Sequence, residues 1–260
     1  MFMFNEYFDV FLADNLEAKE INFRIRYHVY CLETGYEDAS SFPDRRETDE
    51  FDSRSAHFIV RARATGDWIA AMRLVLGPME SLPISRFATI DKDLLLRSMH
   101  ANSTEEFTIS AEVSRMSVVA QYRRRPLERN TPYQIPWNAD DEHDDNASHA
   151  GNERRKAPWL MLALLYAARD YSEQNAINHW FFLAERSLAR IFKGLGMQLE
   201  QTGPGCEHRG TRFPHVIEIP RGFDNFEVKY PKLAQTIPSG IRYKPFSELK
   251  KEEYKSLVIM

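Results

Sequence analysis

The stretch ETDEFDSRSAHFIVRARATGDWIAAMRLVL, residues 47–76, decides how the chain is read. Its second part holds two apolar runs, AHFIVRAR and WIAAMRLVL, around the turn ATGD, and predicts a strand hairpin. Its first part crowds Glu47, Asp49 and Asp52, three of its four carboxylates, around Phe51. Such a segment is either a solvated acidic loop or the wall of a pocket for something cationic. Arg73 bears on the choice, because it stands in the otherwise apolar AAMRLVL. A buried charge without a partner is costly, and these carboxylates are the obvious partners.

Upstream, YFDVFLA (7–13) predicts a first strand, and LEAKEINFRIRYHVYCLE (16–33) an amphipathic helix. Residues 34–55 form an acid-rich loop. Downstream, FTISAEVSRMSVVA (107–120) predicts a long strand with a polar centre. PWLMLALLYAARDYSEQ (158–174) predicts a buried helix, with Pro158 near its start. INHWFFLAE predicts a strand, RSLARIFKGLG a glycine-closed helix, and HVIEIP a last strand. The order is β-α-β-β-β-α-β-α-β, an α/β or α+β domain on a central mixed, mostly antiparallel sheet. Residues 1–220 are expected to form the domain, with a polar, disordered insertion at 138–156. Residues 221–260, with prolines at 231, 238 and 245, are expected to wrap on it as an extension.

Composition excludes several classes. With 260 residues, 43% of them hydrophobic, the chain can bury a full core. A net charge of -4 gives no basic field for nucleic acid. Cys31 and Cys206 lie far apart and form no CxxC, which suits a reducing compartment. The eight histidines include no HExxH-like pair, so no metal site is expected. APWLMLALLYAA is too short for a bilayer, which takes about 20 apolar residues, and MFMFNEYFDV lacks a basic leader. The expectation is a soluble, cytoplasmic protein. No GxGxxG or GxxxxGK[ST] occurs.

Other charges interrupt apolar patterns. Arg26 and Tyr30 lie four apart, on one face of the first helix. In AEVSRMSV, Glu112 and Arg115 would point to opposite faces of a regular strand. A bulge would bring both to one face. Arg26, Glu47, Asp49, Asp52, Arg73, Glu112 and Arg115 are thus expected to gather into one cluster.

This ordered set resembles the acyl-homoserine-lactone synthases, acyltransferases of the GNAT fold. The carry-over is Arg26 with Tyr30, then Tyr36, then Glu47, Asp49 and Asp52, then Arg73, then Glu112, Ser114 and Arg115. The chain departs from that family in having tyrosines where Phe and Trp are usual. RYHVYCLETGYED, the segment from FPDRRETDEFD through the hairpin, AEVSRMSV and GPGCEHRGTRFPHVIEI are similar to the PEP-CTERM/exosortase-associated acyltransferases and the long-chain N-acyl-amino-acid synthases.

The resemblance implies transfer of a fatty acyl group from a thioester to a small amine or amino acid. Glu112 would be the base, with Asp49 and Arg115 beside it in the catalytic set. Asp49 and Asp52 would hold the substrate ammonium, and Arg73 and Arg115 would organise the carboxylates or bind a substrate carboxylate. Arg26, Tyr30, Tyr36, Glu47 and Ser114 would complete the substrate pocket. Backbone N–H groups near Glu112–Met116 would take the oxyanion. WLMLALLYAA and HWFFLAE could line an acyl tunnel between helix and sheet, form ordinary core, or do both.

Where GNAT enzymes hold coenzyme A on a glycine-rich turn, this chain reads QYRRRPLERN, without glycine. Arg123, Arg124, Arg125 and Arg129 suit an acidic acyl carrier protein bearing an acyl-phosphopantetheine arm, with acyl-CoA as the other donor and no permanently bound cofactor. The competing expectations are a coenzyme-A-dependent acetyltransferase and a non-catalytic sensor of an acyl ligand.

Overall fold

A computed structural model of the chain describes residues 4–93, 95, 110–123, 157–219, 221–229 and 242–250. A short helix α1 (Phe4–Tyr7) leads into β1 (Phe8–Leu12) and α2 (Leu16–Tyr27). The hairpin is β2 (Ser55–Ala62) and β3 (Trp68–Gly77), and the polar-centred strand is β4 (Ser110–Val118). Next come α3 (Ala120–Arg123), α4 (Ala157–Gln174), β5 (His179–Ala184) and α5 (Arg186–Gly194). The two-residue strands β6 (Glu200–Gln201) and β7 (Cys206–Glu207) precede β8 (Thr211–Glu218). Helix α6 (Asp224–Lys229) and β9 (Lys244–Pro245) close the described chain. The expected insertion at 138–156 lies outside the described residues.

Among the described residues the sheet runs β6-β8-β5-β4-β3-β2-β1-β9, with β7 added to β8. Pairing is antiparallel except for β4–β5 and β1–β9. Neighbouring residues on a strand point to opposite faces, so His57 and Phe58 show what covers each side. Phe23 of α2 packs edge-on to His57, whereas Tyr171 of α4 packs edge-on to Phe58. The two helices therefore cover opposite faces.

Helix α2 starts at Asn15, whose side chain accepts from the Ala18 N–H at 2.9 Å. It does not continue as a plain α-helix to residue 33, as its apolar spacing predicts. His28–Glu33 form a π-helical segment, and Thr34 N–H reaches back to Val29 O at 3.1 Å. Such insertions favour functional sites; this one carries Tyr30.

Helix α4 and β5 contribute Leu160, Leu164, Leu165, Trp180 and Phe182 to the main core. These five side chains pack as core, which an acyl tunnel beside them would share. A second apolar cluster, with Phe51, Val75, Met79, Leu82, Ile84 and Phe181, lies under the 79–86 segment. In the C-terminal region, Lys244–Pro245 pairs with β1 and Phe246 is buried against Phe11 and Trp68.

Two irregularities shape the sheet centre. Strand β4 pairs with β5 only at Ser110–His179, Ala111–Trp180 and Glu112–Phe181, and both strands run on beyond this ladder. The strands thus part just past Glu112. On its other edge β4 bulges, since Arg73 faces Ser114 while Ala71 faces Ser117. Arg115 sits in that bulge at φ +53°. A left-handed conformation costs a non-glycine residue roughly 1–2 kcal/mol.

Candidate active site

Three arginines and three carboxylates close a ring beside the bulge. Arg26 Nε donates to Glu47 at 2.6 Å, and its Nη1 and Nη2 donate to both oxygens of Asp52 at 2.6 and 3.2 Å. Arg73 donates to Asp52 at 2.8 Å and with two nitrogens to Asp49. Arg115 donates to Glu47 at 2.9 Å and to Asp49 at 3.2 Å. Each carboxylate therefore bridges two arginines, and each arginine bridges two carboxylates. The ion pairs at Arg115 help offset its unfavourable φ.

Local structure explains the convergence. Arg26 projects from the last turn of α2, and Glu47 N–H bonds Phe23 O of the same helix at 3.2 Å. The Asp52 carboxylate accepts the Asp49 N–H at 2.8 Å, and Asp49 accepts the Phe51 N–H at 2.9 Å. The acids are thus held by their own backbone turn. Burial raises the cost of charge at Asp52, yet Arg26 and Arg73 hold its carboxyl far below the usual range. Asp49 is likewise held low, with Arg73 and Arg115 outweighing burial. Burial pushes His57 down to about 4 against the pull of Asp52, so it is neutral at pH 7.

The ring opens to solvent on one side only. Arg26, Glu47, Asp52 and Arg73 are at most 7% exposed, whereas Arg115 reaches 14% and Asp49 25%. Asp52, expected to hold an ammonium group, is enclosed by Arg26, Arg73 and a backbone N–H. Asp49 is the ring carboxylate that an incoming cation can reach.

Glu112 stands apart from the ring. It lies in line with Val75 and Phe181 across three strands and accepts the Ile84 N–H at 2.6 Å. Burial in this apolar layer raises its carboxyl to about 8, opposed by Ile84 and by the charges of Arg73 and Arg115. A buried carboxyl titrating near neutrality, at the point where β4 and β5 part, can exchange a proton with a reacting group.

The remaining expected residues fall around these groups. Ser114 Oγ accepts from Arg73 Nε at 3.1 Å. Tyr30 donates to Met116 O at 3.2 Å, its ring centre 6.4 Å from that of Tyr36. Arg123 ends α3, while Arg124, Arg125 and Arg129 lie outside the described residues. The Cys31 thiol is pushed up to about 11 by burial, which removes it as a thiolate nucleophile at pH 7. No cluster of three or more His, Cys, Asp or Glu suits a metal among the described residues. Likewise, no described helix is long and apolar enough to cross a membrane. Sequence reasoning missed Glu37 and Arg209, which pair at the ring's open side.

Residues 25–131 match a family model described as "Acetyltransferase (GNAT) domain". That stretch contains the ring and Glu112, but not Arg209. No curated protein matches the chain in sequence. Among solved structures, the chain is similar to BjaI, a CoA-dependent acyl-homoserine lactone synthase solved with SAM and isopentyl-CoA. The TM-score is 0.54 at 15% identity, covering 92% of this chain and 93% of that one. It is also similar to FeeM, an N-acyl amino acid synthase from uncultured soil microbes, at TM-score 0.51 and 11% identity, over 85% of this chain and 96% of FeeM. For the AHL synthase LasI the TM-score is 0.50 at 12% identity, over 91% and 96%. The fold is GNAT-like, a mixed and mostly antiparallel sheet flanked by helices.

Proposed function

We propose that this GNAT-fold acyltransferase moves a fatty acyl group from a carrier-protein or coenzyme A thioester to the amino group of a small amine or amino acid. The observation that carries the reading is Glu112, a buried carboxyl raised to about 8 where β4 and β5 separate, with Asp49 the exposed carboxylate of the adjacent ring. The similarity to synthases that make acylated products supports the class of reaction.

Past Glu112 the edges of β4 and β5 form no ladder with each other among the described residues and can offer backbone groups to the amides of a pantetheine arm. Asp49 meets the acceptor's ammonium group. An amine attacks only when neutral, and an α-amino group has a pKa near ~8. Glu112 in its carboxylate form takes the proton directly or through a water. The nitrogen lone pair then forms the N–C bond at the thioester carbonyl. Backbone N–H groups of Glu112–Met116, beside and within the bulge at Ser114–Ser117, hold the resulting oxyanion. Collapse breaks the C–S bond; the leaving thiolate takes up the second proton, which the attacking nitrogen sheds as the amide forms, and Glu112 returns the first to solvent. The thioester is already activated, so no protein nucleophile enters.

Arg123, Arg124, Arg125 and Arg129 are proposed to receive the carrier protein. Placement beside a PEP-CTERM/exosortase system rests on sequence resemblance and belongs to the same proposal. The test supplies long-chain acyl thioesters on coenzyme A and on carrier protein, with a panel of amines and amino acids. Thiol release that depends on both a long acyl chain and an acceptor supports the reading. Acetyl transfer from acetyl-CoA, with none from long-chain donors, overturns it.

A further inference from the structure

A second charged pair guards the open side of the ring. Glu37 accepts a hydrogen bond from Arg209, a residue of the β7–β8 turn and outside the matched family stretch. Glu37 is held in place by its own backbone, since its N–H bonds Tyr30 O at 3.1 Å. Its Oε1 also lies 3.5 Å from Arg115 Nη2, so one carboxylate oxygen faces two guanidinium groups. Both guanidinium groups lie over the Tyr30 ring, Arg115 at 5.6 Å and Arg209 at 6.0 Å. Arg209 adopts φ +52°, which a glycine would take at no steric cost. The turn alone does not call for an arginine there.

We propose that Arg209 binds the carboxylate of the acceptor substrate, and that Glu37 occupies this place until the acceptor arrives. The acceptor is then an α-amino acid, or a derivative with a free carboxylate, rather than a simple amine. This inference rests on the N-acyltransfer reading. Accessibility supports it: Arg209 is 19% exposed and Glu37 23%, unlike the enclosed pairs of the ring. A displaced Glu37 is not stranded, because Arg115 is already within reach. Spacing supports it as well. Asp49 contacts Arg115 at 3.2 Å, Arg115 lies 3.5 Å from Glu37, and Glu37 bonds Arg209. An α-amino acid carries its ammonium and its carboxylate on the two sides of one carbon and adds a hydrogen bond of about 2.9 Å at each end. It can therefore reach from Asp49 to Arg209. Local charge favours an anion too, since Arg212 adds to the positive field at Arg209.

The experiment measures calorimetric binding and KM for a set of α-amino acids and for their decarboxylated amines. It compares the wild type with Arg209→Met, Arg209→Lys and Glu37→Gln. Losing a charge-assisted hydrogen bond should weaken amino-acid binding roughly 10- to 100-fold in Arg209→Met. Arg209→Lys should recover part of it, and binding of the decarboxylated amines and KM for the acyl donor should stay unchanged. Glu37→Gln should tighten amino-acid binding, because the resident competitor is gone. A purely structural ion pair would instead make Arg209→Met and Glu37→Gln equally damaging. That result, equal wild-type binding of amino acids and amines, or a raised donor KM marking Arg209 as a phosphate contact, overturns the proposal. Calorimetry keeps it separate from the parent reading: a chain that binds amino acids through Arg209 but transfers no acyl group loses the reaction, not this site.

Discussion

Arg26 meets Asp52 end-on, through two hydrogen bonds of 2.6 and 3.2 Å, with the guanidinium fully buried. Removing one partner of such a pair leaves the other charge buried and costs about 3–5 kcal/mol. Arg26→Met leaves Asp52 with Arg73 alone and Glu47 with Arg115 alone, and puts an uncharged side chain between the two buried carboxylates. We expect a fall in melting temperature on the order of 10 °C for a domain of this size. Arg24→Met breaks the exposed pair with Glu20 and should shift it by less than about 2 °C. Differential scanning calorimetry of the two variants checks the contrast.

Glu112 links activity to stability through one proton. Its folded-state pKa is raised from 4.5 to about 8. Its full contribution to stability is present below pH 4.5, where folded and unfolded chains both hold the proton, and is lost as pH rises through 8. Glu112→Gln keeps an acceptor for the Ile84 N–H and never ionises. The variant should lose turnover by roughly 10²–10⁴-fold while becoming more stable than the wild type at pH 9. Denaturant titrations at pH 5 and pH 9 measure the crossover, and kcat/KM of the wild type should rise with pH toward about 8.

His57 governs the acid side. Its folded-state pKa is depressed from 6.5 to about 4, so its contribution is full above pH 6.5 and is lost as pH falls toward 4. Asp52 acts lower: its carboxyl is held below the unfolded value of 3.8, so its contribution fades only below that pH. His57 alone should therefore lower stability between pH 6.5 and 4 with a slope of up to ~1.4 kcal/mol per pH unit, opposed down to pH 4.5 by Glu112, which binds its proton in the folded chain. Relative to the wild type, His57→Gln should gain stability as pH falls through that window, which urea unfolding of both proteins at closely spaced pH values resolves.

Phe246 closes the far edge of the sheet. Its ring packs against Phe11 at 6.2 Å and Trp68 at 5.7 Å, and Ser247 N–H bonds Asp14 at 2.9 Å. Phe246→Ala should cost about 3–5 kcal/mol and speed amide exchange along β1. An unchanged melting temperature would show that the C-terminal segment adds little to the domain.

The ring was largely legible because Arg26, Arg73 and Arg115 interrupt apolar patterns, and a buried cation demands a carboxylate. ETDEFD supplies the three ring acids at short spacing, and its fourth, Glu50, turns outward to an exposed pair with Arg86. Glu37 and Arg209 were not legible, since both stand in polar turns where a solvated charge is the ordinary outcome. The π-helical segment at 28–33 carries four apolar or aromatic residues in succession, Val29 to Leu32, so periodicity does not separate it from an α-helix. Strands β6, β7 and β9 are two residues each, too short for an alternation to show. The donor to Glu112 is a backbone N–H of Ile84, and a backbone contact leaves no residue-type signal.

The most direct measurement is mass spectrometry of the organic extract from cells expressing the wild type and Glu112→Gln. The account predicts a long-chain N-acylated amine or amino acid with the wild type and its loss with the variant. An extract without N-acyl product, from a protein that binds coenzyme A tightly and acetylates amines, would contradict it.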